Sequence, residues 1–202
     1  MSTLVDLLKE SKRLGFLGPG VIDDHLEHTA AFLAAAPSPP ARFLDLGSGG
    51  GVPGLVLATT WSEAEGTLLD AQLRRVRFLE EAVIALGCDD RVTVLHGRAE
   101  DLARDAAHRG AYDLVTARSF GPPALTAECG AGFLVVGGSL LVSEPPEPAV
   151  DRWSSPGLAS LGLEDAGVVR GPTSSVRVLR SRGEVLATVP RRVAAMNRKP
   201  AF

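Results

Sequence analysis

A glycine-rich segment directly after a short apolar run is the feature of this sequence that most constrains its fold. Residues 43–54 read FLDLGSGGGVPG, with glycines at positions 47, 49, 50, 51 and 54. The apolar residues before the glycines are typical of a buried strand, and Pro53 suits the first turn of a helix that follows. This order predicts an open α/β sheet, in which ligands bind beyond the carboxyl ends of the strands.

The chain then alternates short apolar runs with amphipathic stretches. Strands are predicted at residues 41–46, 67–70, 91–96, 112–117 and 139–144. This βαβα order favours a doubly wound, mostly parallel sheet with helices on both faces. Two later runs, SVRVLR at 175–180 and EVLATV at 184–189, flank Gly183 and predict a closing antiparallel hairpin. The expected fold class is therefore α/β, Rossmann-like, with a C-terminal antiparallel hairpin.

A proline-rich break divides the chain into two parts. The segment APSPPA at 36–41 ends a helix predicted over 21–36, because prolines cannot continue a helix and force the preceding residues into extended conformations. We therefore expect an N-terminal helical segment at 1–40 and an α/β domain at 41–202. With 202 residues and 45% hydrophobic content, the two parts can share one core as a single globular unit.

Composition argues against several classes of protein. No apolar run is long enough to span a bilayer and the N-terminus lacks the apolar centre of a signal peptide, so we expect a cytoplasmic protein without a membrane partner. Cys88 and Cys129 are far apart and are predicted to be small buried apolar residues. No metal site is expected, since no metal-ligand spacing relates the four histidines, His25, His28, His96 and His108.

Charge is distributed unevenly along the chain. Residues 1–169 contain 13 Lys and Arg against 23 Asp and Glu, whereas residues 170–202 contain 8 against 1. A basic end on an acidic body is compatible with a nucleic-acid contact. It is equally compatible with an edge hairpin that arginines keep soluble.

Asp45 distinguishes between two ligands for the glycine loop. A formal GxGxxG at 49–54 allows a dinucleotide site, but a carboxylate two residues before the loop would repel a pyrophosphate. S-adenosylmethionine instead carries an ammonium and a sulfonium, which an acidic strand end attracts. The charge pattern therefore favours S-adenosylmethionine. The structural alternative is that Asp45 only caps the helix after the loop.

Three later strand ends add candidate residues. Asp70, 25 residues after Asp45, ends the next strand and suits the ribose hydroxyls, although it could instead cap the following helix. Ala99 and Glu100 follow the third strand, where they can meet the adenine edge or simply start a helix. Arg118 ends the fourth strand, on the ligand side of the sheet; a surface ion pair is the alternative for it.

These motifs, taken together, carry a family resemblance. The segments FLDLGSGGGVPG, LLDAQLRRVRFLEEA, HGRAEDL, YDLVTARSF and the late PRR occur in order from about Val21 to the C-terminus. In this combination the chain resembles the bacterial small-subunit ribosomal RNA guanine-N7 methyltransferase family, also called glucose-inhibited division protein B. The resemblance makes 41–202 a class I methyltransferase domain and implies S-adenosylmethionine as cofactor and ribosomal RNA or the small ribosomal subunit as partner.

The resemblance also assigns residues. It implies cofactor contacts at Gly47, Val52, Asp70, Ala99 and Glu100, and it places Arg118 beside the transfer site as the catalytic candidate. The loop itself adds Asp45, Gly49 and Gly51 to the cofactor-binding set. Further arginines, which suit phosphates because of the guanidinium fork, are predicted RNA contacts: Arg75, Arg77, Arg191 and Arg192.

Some positions depart from the family pattern. The N-terminal helical region is shorter, the family's His followed by an acid is matched only in part by His25, and Glu144 stands where the family commonly has Lys-Gly after the fifth strand. A methyltransferase acting on a small molecule or another acceptor therefore stays open. So does a non-catalytic module that binds S-adenosylmethionine or a nucleotide.

Overall fold

A seven-stranded sheet forms the centre of the computed structural model, which describes residues 3–36, 38–145, 152–171 and 174–202. The strand order is β3-β2-β1-β4-β5-β7-β6. The strands are β1 Arg42–Leu46, β2 Glu65–Asp70, β3 Val92–His96, β4 Tyr112–Ala117, β5 Leu134–Glu144, β6 Leu163–Arg170 and β7 Ser175–Ser181. The first five are mutually parallel, and β7 is antiparallel to both β5 and β6. The predicted α/β class is confirmed.

Helices connect the parallel strands and precede the sheet. They are α1 Leu4–Arg13, α2 Ile22–Ala35, α3 Gly54–Thr60, α4 Leu73–Ala85, α5 Ala99–Leu102, α6 Pro123–Ala131, α7 Ser155–Ser160 and α8 Val193–Arg198. In α4 the buried residues Val76, Leu79 and Val83 recur at helical spacing, so one face packs on the sheet, while Arg77 between them is exposed. The glycine loop lies between β1 and α3, as predicted.

The sheet has apolar clusters on both faces. Along β1, Leu44 and Leu46 belong to one cluster and Phe43 to the other, as the alternation of side chains along a strand requires. Cys88 and Cys129 are buried in these clusters as free thiols, as predicted.

The direction of winding reverses between β1 and β4. The chain runs from β1 outward to β2 and β3, then returns to place β4 on the other side of β1 and continues to β5. In open α/β sheets a crevice forms at such a reversal, beyond the carboxyl ends of the strands. The topology therefore puts the ends of β1 and β4, at Leu46 and Ala117, on either side of the expected binding crevice.

The N-terminal helices pack on the α/β unit. Helix α2 contacts β7 and α3. Helix α1 reaches the glycine loop, where the buried Ser11 donates from Oγ to the carbonyl of Gly50 at 2.8 Å. The segment before the proline-rich break thus touches the loop that the sequence assigns to a ligand.

The closing hairpin is not where the sequence predicted it. It consists of β6 and β7, so SVRVLR is a strand, but EVLATV at 184–189 is not, and that part of the prediction was wrong. The reason is Arg109, whose guanidinium donates to the carbonyls of Val185, Leu186 and Val189 at 2.7–2.9 Å. Those carbonyls therefore accept hydrogen bonds from a half-buried guanidinium and not from a neighbouring strand.

Candidate active site

Asp45 lies beneath the glycine loop. Its side chain is 1% exposed, and its two carboxylate oxygens accept from Thr116 Oγ1 at 2.7 Å and from the backbone N–H of Gly54 at 3.1 Å. Gly54 is required there, because a Cβ on it would lie 2.5 Å from Asp45 Oδ2 and 2.6 Å from Leu68 Cδ2. Asp45 therefore connects β1, β4 and the start of α3.

Burial controls the ionisation of Asp45. Desolvation raises the pKa of this carboxyl to about 6, against the hydrogen bonds from Thr116, Ser48 and Gly54 and the positive charge of Arg118, which all lower it. Since both oxygens are already bonded within the protein, the arrangement supports a role in holding the loop. Direct cofactor contact by Asp45 stays a prediction.

Gly47 begins the loop in a conformation that favours glycine. Its φ is +72°, and a Cβ would lie 2.8 Å from Cδ2 of Phe120. The Phe120 ring thus packs directly on the Gly47 backbone. Gly49 and Gly51 also have positive φ values, while Val52 is buried. The loop is shaped to bring backbone, with no side chain in between, close to a neighbour or a ligand.

Asp70 ends β2 beside the same loop. One of its oxygens accepts from the N–H of Gly49 at 2.9 Å, and the other accepts from the N–H of Gln72 at 2.8 Å. Arg75 Nη1 lies 3.6 Å from the carboxylate. The acid is therefore fixed in place, and each oxygen keeps a further lone pair for a ligand hydroxyl.

A cavity of about 210 Å³ brings several predicted residues together. The cofactor candidates Gly47, Asp70, Ala99 and Glu100 all line it. They come from the ends of three adjacent strands, as the topology requires. The other cofactor candidates, Asp45, Gly49, Gly51 and Val52, shape the loop beside it.

Other residues of this cavity were not predicted. Phe120, Leu125 and Val193 contribute apolar side chains to its wall. Phe120 follows the Thr-Ala-Arg motif and could have been suspected from that position. Val193 comes from α8, which packs on α6, and no local pattern in the sequence indicates that contact.

Arg118 follows β4 and is half-buried. Its Nη2 donates to Nδ1 of His25 in α2 at 2.8 Å. Burial lowers the pKa of Arg118, and the attraction of Asp45 opposes that shift. Arg118 therefore differs from an ordinary surface arginine, because its guanidinium is partly buried and is attracted by Asp45.

Glu144 faces the protein. This acid, which stands where the family commonly has Lys-Gly, is 4% exposed and accepts from Trp153 Nε1 at 2.7 Å and Arg152 Nη2 at 3.0 Å. Its charge is compensated internally, so it does not present an acid to a substrate.

The predicted RNA-contacting arginines differ in their surroundings. Arg77 and Arg192 are exposed, and Arg75 is half-buried near Asp70. Arg191 is engaged within the protein: its Nε and Nη2 donate to the buried Glu128 at 2.7 and 2.5 Å, and its Nη1 donates to the Lys199 carbonyl. Arg191 therefore anchors the C-terminal segment to α6.

The described residues contain neither a metal cluster nor a membrane-spanning helix. Within the ranges given above, no group of three or more His, Cys, Asp or Glu side chains is placed to hold a metal ion. Across the same residues, no helix has the length and apolarity needed to cross a membrane.

Solved structures share this fold. The O-methyltransferase NcsB1 from neocarzinostatin biosynthesis, in complex with S-adenosyl-L-homocysteine, has a TM-score of 0.60 at 18% identity, over 79% of this chain and 56% of that one. The [4+2]-cyclase SpnF has a TM-score of 0.58 at 18% identity, over 79% of this chain and 80% of that one. At these identities the likeness shows the fold alone.

Sequence relatives define the family. A model of the family described as rRNA small subunit methyltransferase G matches residues 19–144. Ribosomal RNA small subunit methyltransferase G of Leuconostoc citreum is 32% identical over 192 residues, 88% of this chain and 79% of that protein. The protein of the same name from Streptococcus gordonii is 31% identical over 165 residues, which are 79% of this chain and 69% of that protein.

The fold, the site and these relatives define a class I methyltransferase that uses S-adenosylmethionine. Within that class, the chain belongs to the rRNA small subunit methyltransferase G family. The matched region contains the glycine loop, Asp70, Glu100 and Arg118.

Proposed function

We propose that this protein transfers a methyl group from S-adenosylmethionine to N7 of a guanine in small-subunit ribosomal RNA. The observation that carries the proposal is the cavity at the carboxyl ends of β1, β2 and β3, with Arg118 held at the end of the adjacent β4. Membership of the family supports the RNA substrate. An rRNA substrate in turn implies a cytoplasmic protein.

The residues of the cavity fit S-adenosylmethionine. Gly47 lines the cavity without a side chain, which suits the close approach of an amino-acid moiety to its backbone. The fixed carboxylate of Asp70 suits the ribose hydroxyls. Ala99 and Glu100, on the far side of the cavity, are assigned to adenine. When bound, S-adenosylmethionine supplies a methyl group on a positively charged sulfur.

The proposed acceptor needs little chemical activation. Guanine N7 has a lone pair in the plane of the ring and carries no proton, so attack on the methyl group requires alignment more than a general base. Arg118 is assigned to the acceptor: its free donors can hold the neighbouring O6 or a phosphate and leave the N7 lone pair available. Arg118 thus orients the base.

Exposed arginines are assigned to the RNA backbone. We retain Arg77 and Arg192 as phosphate contacts, with Arg75, which lies 3.6 Å from Asp70, as a third candidate. Arg191 is left out, because Glu128 occupies its guanidinium. Phosphate binding releases counterions, so binding of small subunits should weaken steeply with added salt. Each of Arg77→Ala and Arg192→Ala should lower that salt slope by about one. Arg42→Ala should not, because Arg42 lies at the amino-terminal ends of the parallel strands, away from the cavity.

The direct test is tritium-methyl transfer to small ribosomal subunits that lack this methylation. Labelled rRNA with the wild-type protein, and strongly reduced but measurable labelling with Arg118→Ala, are expected. Cofactor binding by calorimetry without transfer would favour the alternative, a methyltransferase with another acceptor. Absence of cofactor binding would contradict the proposal altogether.

A further inference from the structure

His25 and Arg118 form a buried contact between the N-terminal segment and the transfer site. They are 93 residues apart in the chain, and Nδ1 of His25 lies 2.8 Å from Nη2 of Arg118. The His25 side chain is 3% exposed. His25 matches the family's histidine pattern only in part, and no local pattern in the sequence connects it with a strand end.

The chemistry of arginine determines the tautomer of His25. A guanidinium only donates hydrogen bonds and keeps its proton in proteins, so Nδ1 of His25 must accept and the imidazole must be neutral with its proton on Nε2. Burial first, and then the charge of Arg118, lower the pKa of His25 and hold it in that neutral form; Lys12 adds to the shift, while Asp24 and the Gly18 backbone oppose it.

A neutral partner has a different effect from a carboxylate partner. An acid at this distance would compensate the charge of Arg118, whereas an imidazole fixes the direction of the guanidinium and leaves its charge intact. Asp45 is the acid whose attraction reaches Arg118, but its oxygens are engaged by Thr116 and Gly54. The charge of Arg118 is therefore held in place and remains available to a substrate.

A second histidine of α2 is held uncharged near the same guanidinium. His28 lies one turn further along α2, and its buried Nε2 has no hydrogen-bond partner among the described residues. Burial, Arg118 and His25 together lower the pKa of His28 to about 4. At neutral pH, α2 thus presents two uncharged imidazoles to one cation.

We propose that His25 is a positioning residue for methyl transfer, acting by orienting Arg118 toward the acceptor base. This rests on the proposed function, which assigns Arg118 to that base. It gives the N-terminal helical segment a part in the reaction, although the cofactor cavity itself is lined by other elements.

Kinetics with three variants test the proposal. His25→Ala should lower kcat about 10- to 100-fold, the range for a lost hydrogen bond to a charged group, with the affinity for S-adenosylmethionine unchanged. His25→Asn should recover most of kcat, because its amide oxygen can accept near the position of Nδ1. Leu33→Ala, on the same helix two turns after His25 and packed on the apolar cluster, serves as the control for destabilisation. Equal impairment of the Ala and Asn variants would overturn the proposal.

A double mutant separates positioning from a role in stability. If His25 acts through Arg118, adding His25→Ala to Arg118→Ala should cause no further loss of kcat. A further loss equal to that of the single variant would overturn the proposal.

A measurement without turnover distinguishes its failure from failure of the proposed function. Rotation of the Arg118 guanidinium, followed by nitrogen NMR in the cofactor-free protein, should be slow in the wild type and fast in His25→Ala. Slow rotation that persists in His25→Ala overturns the inference. Slow rotation in a wild-type protein that methylates no RNA contradicts the proposed function instead.

Discussion

The backbone N–H of Gly49 donates a 2.9 Å hydrogen bond to Oδ2 of Asp70, which ties the loop after β1 to the tip of β2. Gln72 donates its backbone N–H to the other oxygen at 2.8 Å. The carboxylate is consequently oriented by two donors before any ligand is present, and ligand binding need not order it.

Asp70→Asn should weaken binding of S-adenosylmethionine about 10- to 100-fold, because an amide loses one acceptor oxygen and the charge that strengthens hydrogen bonds from the ribose. Calorimetric titration measures this. Asp113→Asn is the matched control. Asp113 also accepts a backbone hydrogen bond, from Arg42 at 2.8 Å, but it lies at the amino-terminal end of β4, away from the cavity. Equal affinities for the wild type and Asp70→Asn would remove Asp70 from the cofactor site.

Gly47→Ala should distort the loop. The added Cβ would meet the Phe120 ring at 2.8 Å, and the φ of +72° is unfavourable for alanine, at a cost of about 1–3 kcal/mol. Both the unfolding free energy and the cofactor affinity should fall, as denaturant titration and calorimetry can show. At Gly183 a Cβ meets no atom within 4 Å, so Gly183→Ala should change neither quantity. Normal cofactor affinity in Gly47→Ala would argue against a tight Gly47–Phe120 contact.

Asp45→Asn should change how stability depends on pH. The pKa of Asp45 is raised from 3.8 to about 6 in the folded protein, so the folded state holds this proton more tightly and stability from Asp45 is lost as pH rises through about 6. Asparagine does not titrate. The unfolding free energy of Asp45→Asn relative to the wild type should therefore rise between pH 4 and 7, by about 2 kcal/mol.

Urea unfolding of both proteins across this pH range measures the effect of Asp45. All other ionisable groups are common to the two proteins, so their contributions largely cancel in the difference. If the difference in unfolding free energy between the two proteins stayed constant with pH, the pKa of Asp45 in the folded protein would not be raised.

Arg191→Ala and Arg192→Ala should have opposite phenotypes. Removing Arg191 leaves the buried carboxylate of Glu128 without its two side-chain donors and should destabilise the fold by about 3 kcal/mol. Removing the exposed Arg192 should alter stability by less than about 0.5 kcal/mol but weaken RNA binding. Thermal melts and filter binding distinguish the two residues; an unchanged melt for Arg191→Ala would refute its anchoring role.

Local patterns in the sequence predict the sheet and much of the cavity. Five of the seven strands are short apolar runs with turn residues at their ends, and parallel pairing brings their carboxyl ends together. Gly47, Asp70 and Glu100 therefore meet at one cavity although each is far from the next in the chain. Their meeting could be predicted because each of these residues follows or ends a parallel strand.

Contacts that depend on long-range packing are not visible in the sequence. Strand β6, LEDAGVVR, has the acids and glycine of a loop and becomes a strand through pairing with β7. Glu144 turns inward because Trp153 and Arg152 offer donors there. His25 meets Arg118 only because α2 packs across the sheet. Each outcome depends on a partner that no local pattern identifies.

The most direct test of the central claim is to identify the methylated nucleoside. Small ribosomal subunits lacking the modification are incubated with the protein and S-adenosylmethionine bearing a deuterated methyl group, and the digested rRNA is analysed by mass spectrometry. Our account predicts a single deuterated 7-methylguanosine. Deuterium on a different nucleoside, or undetectable in the rRNA, would contradict it.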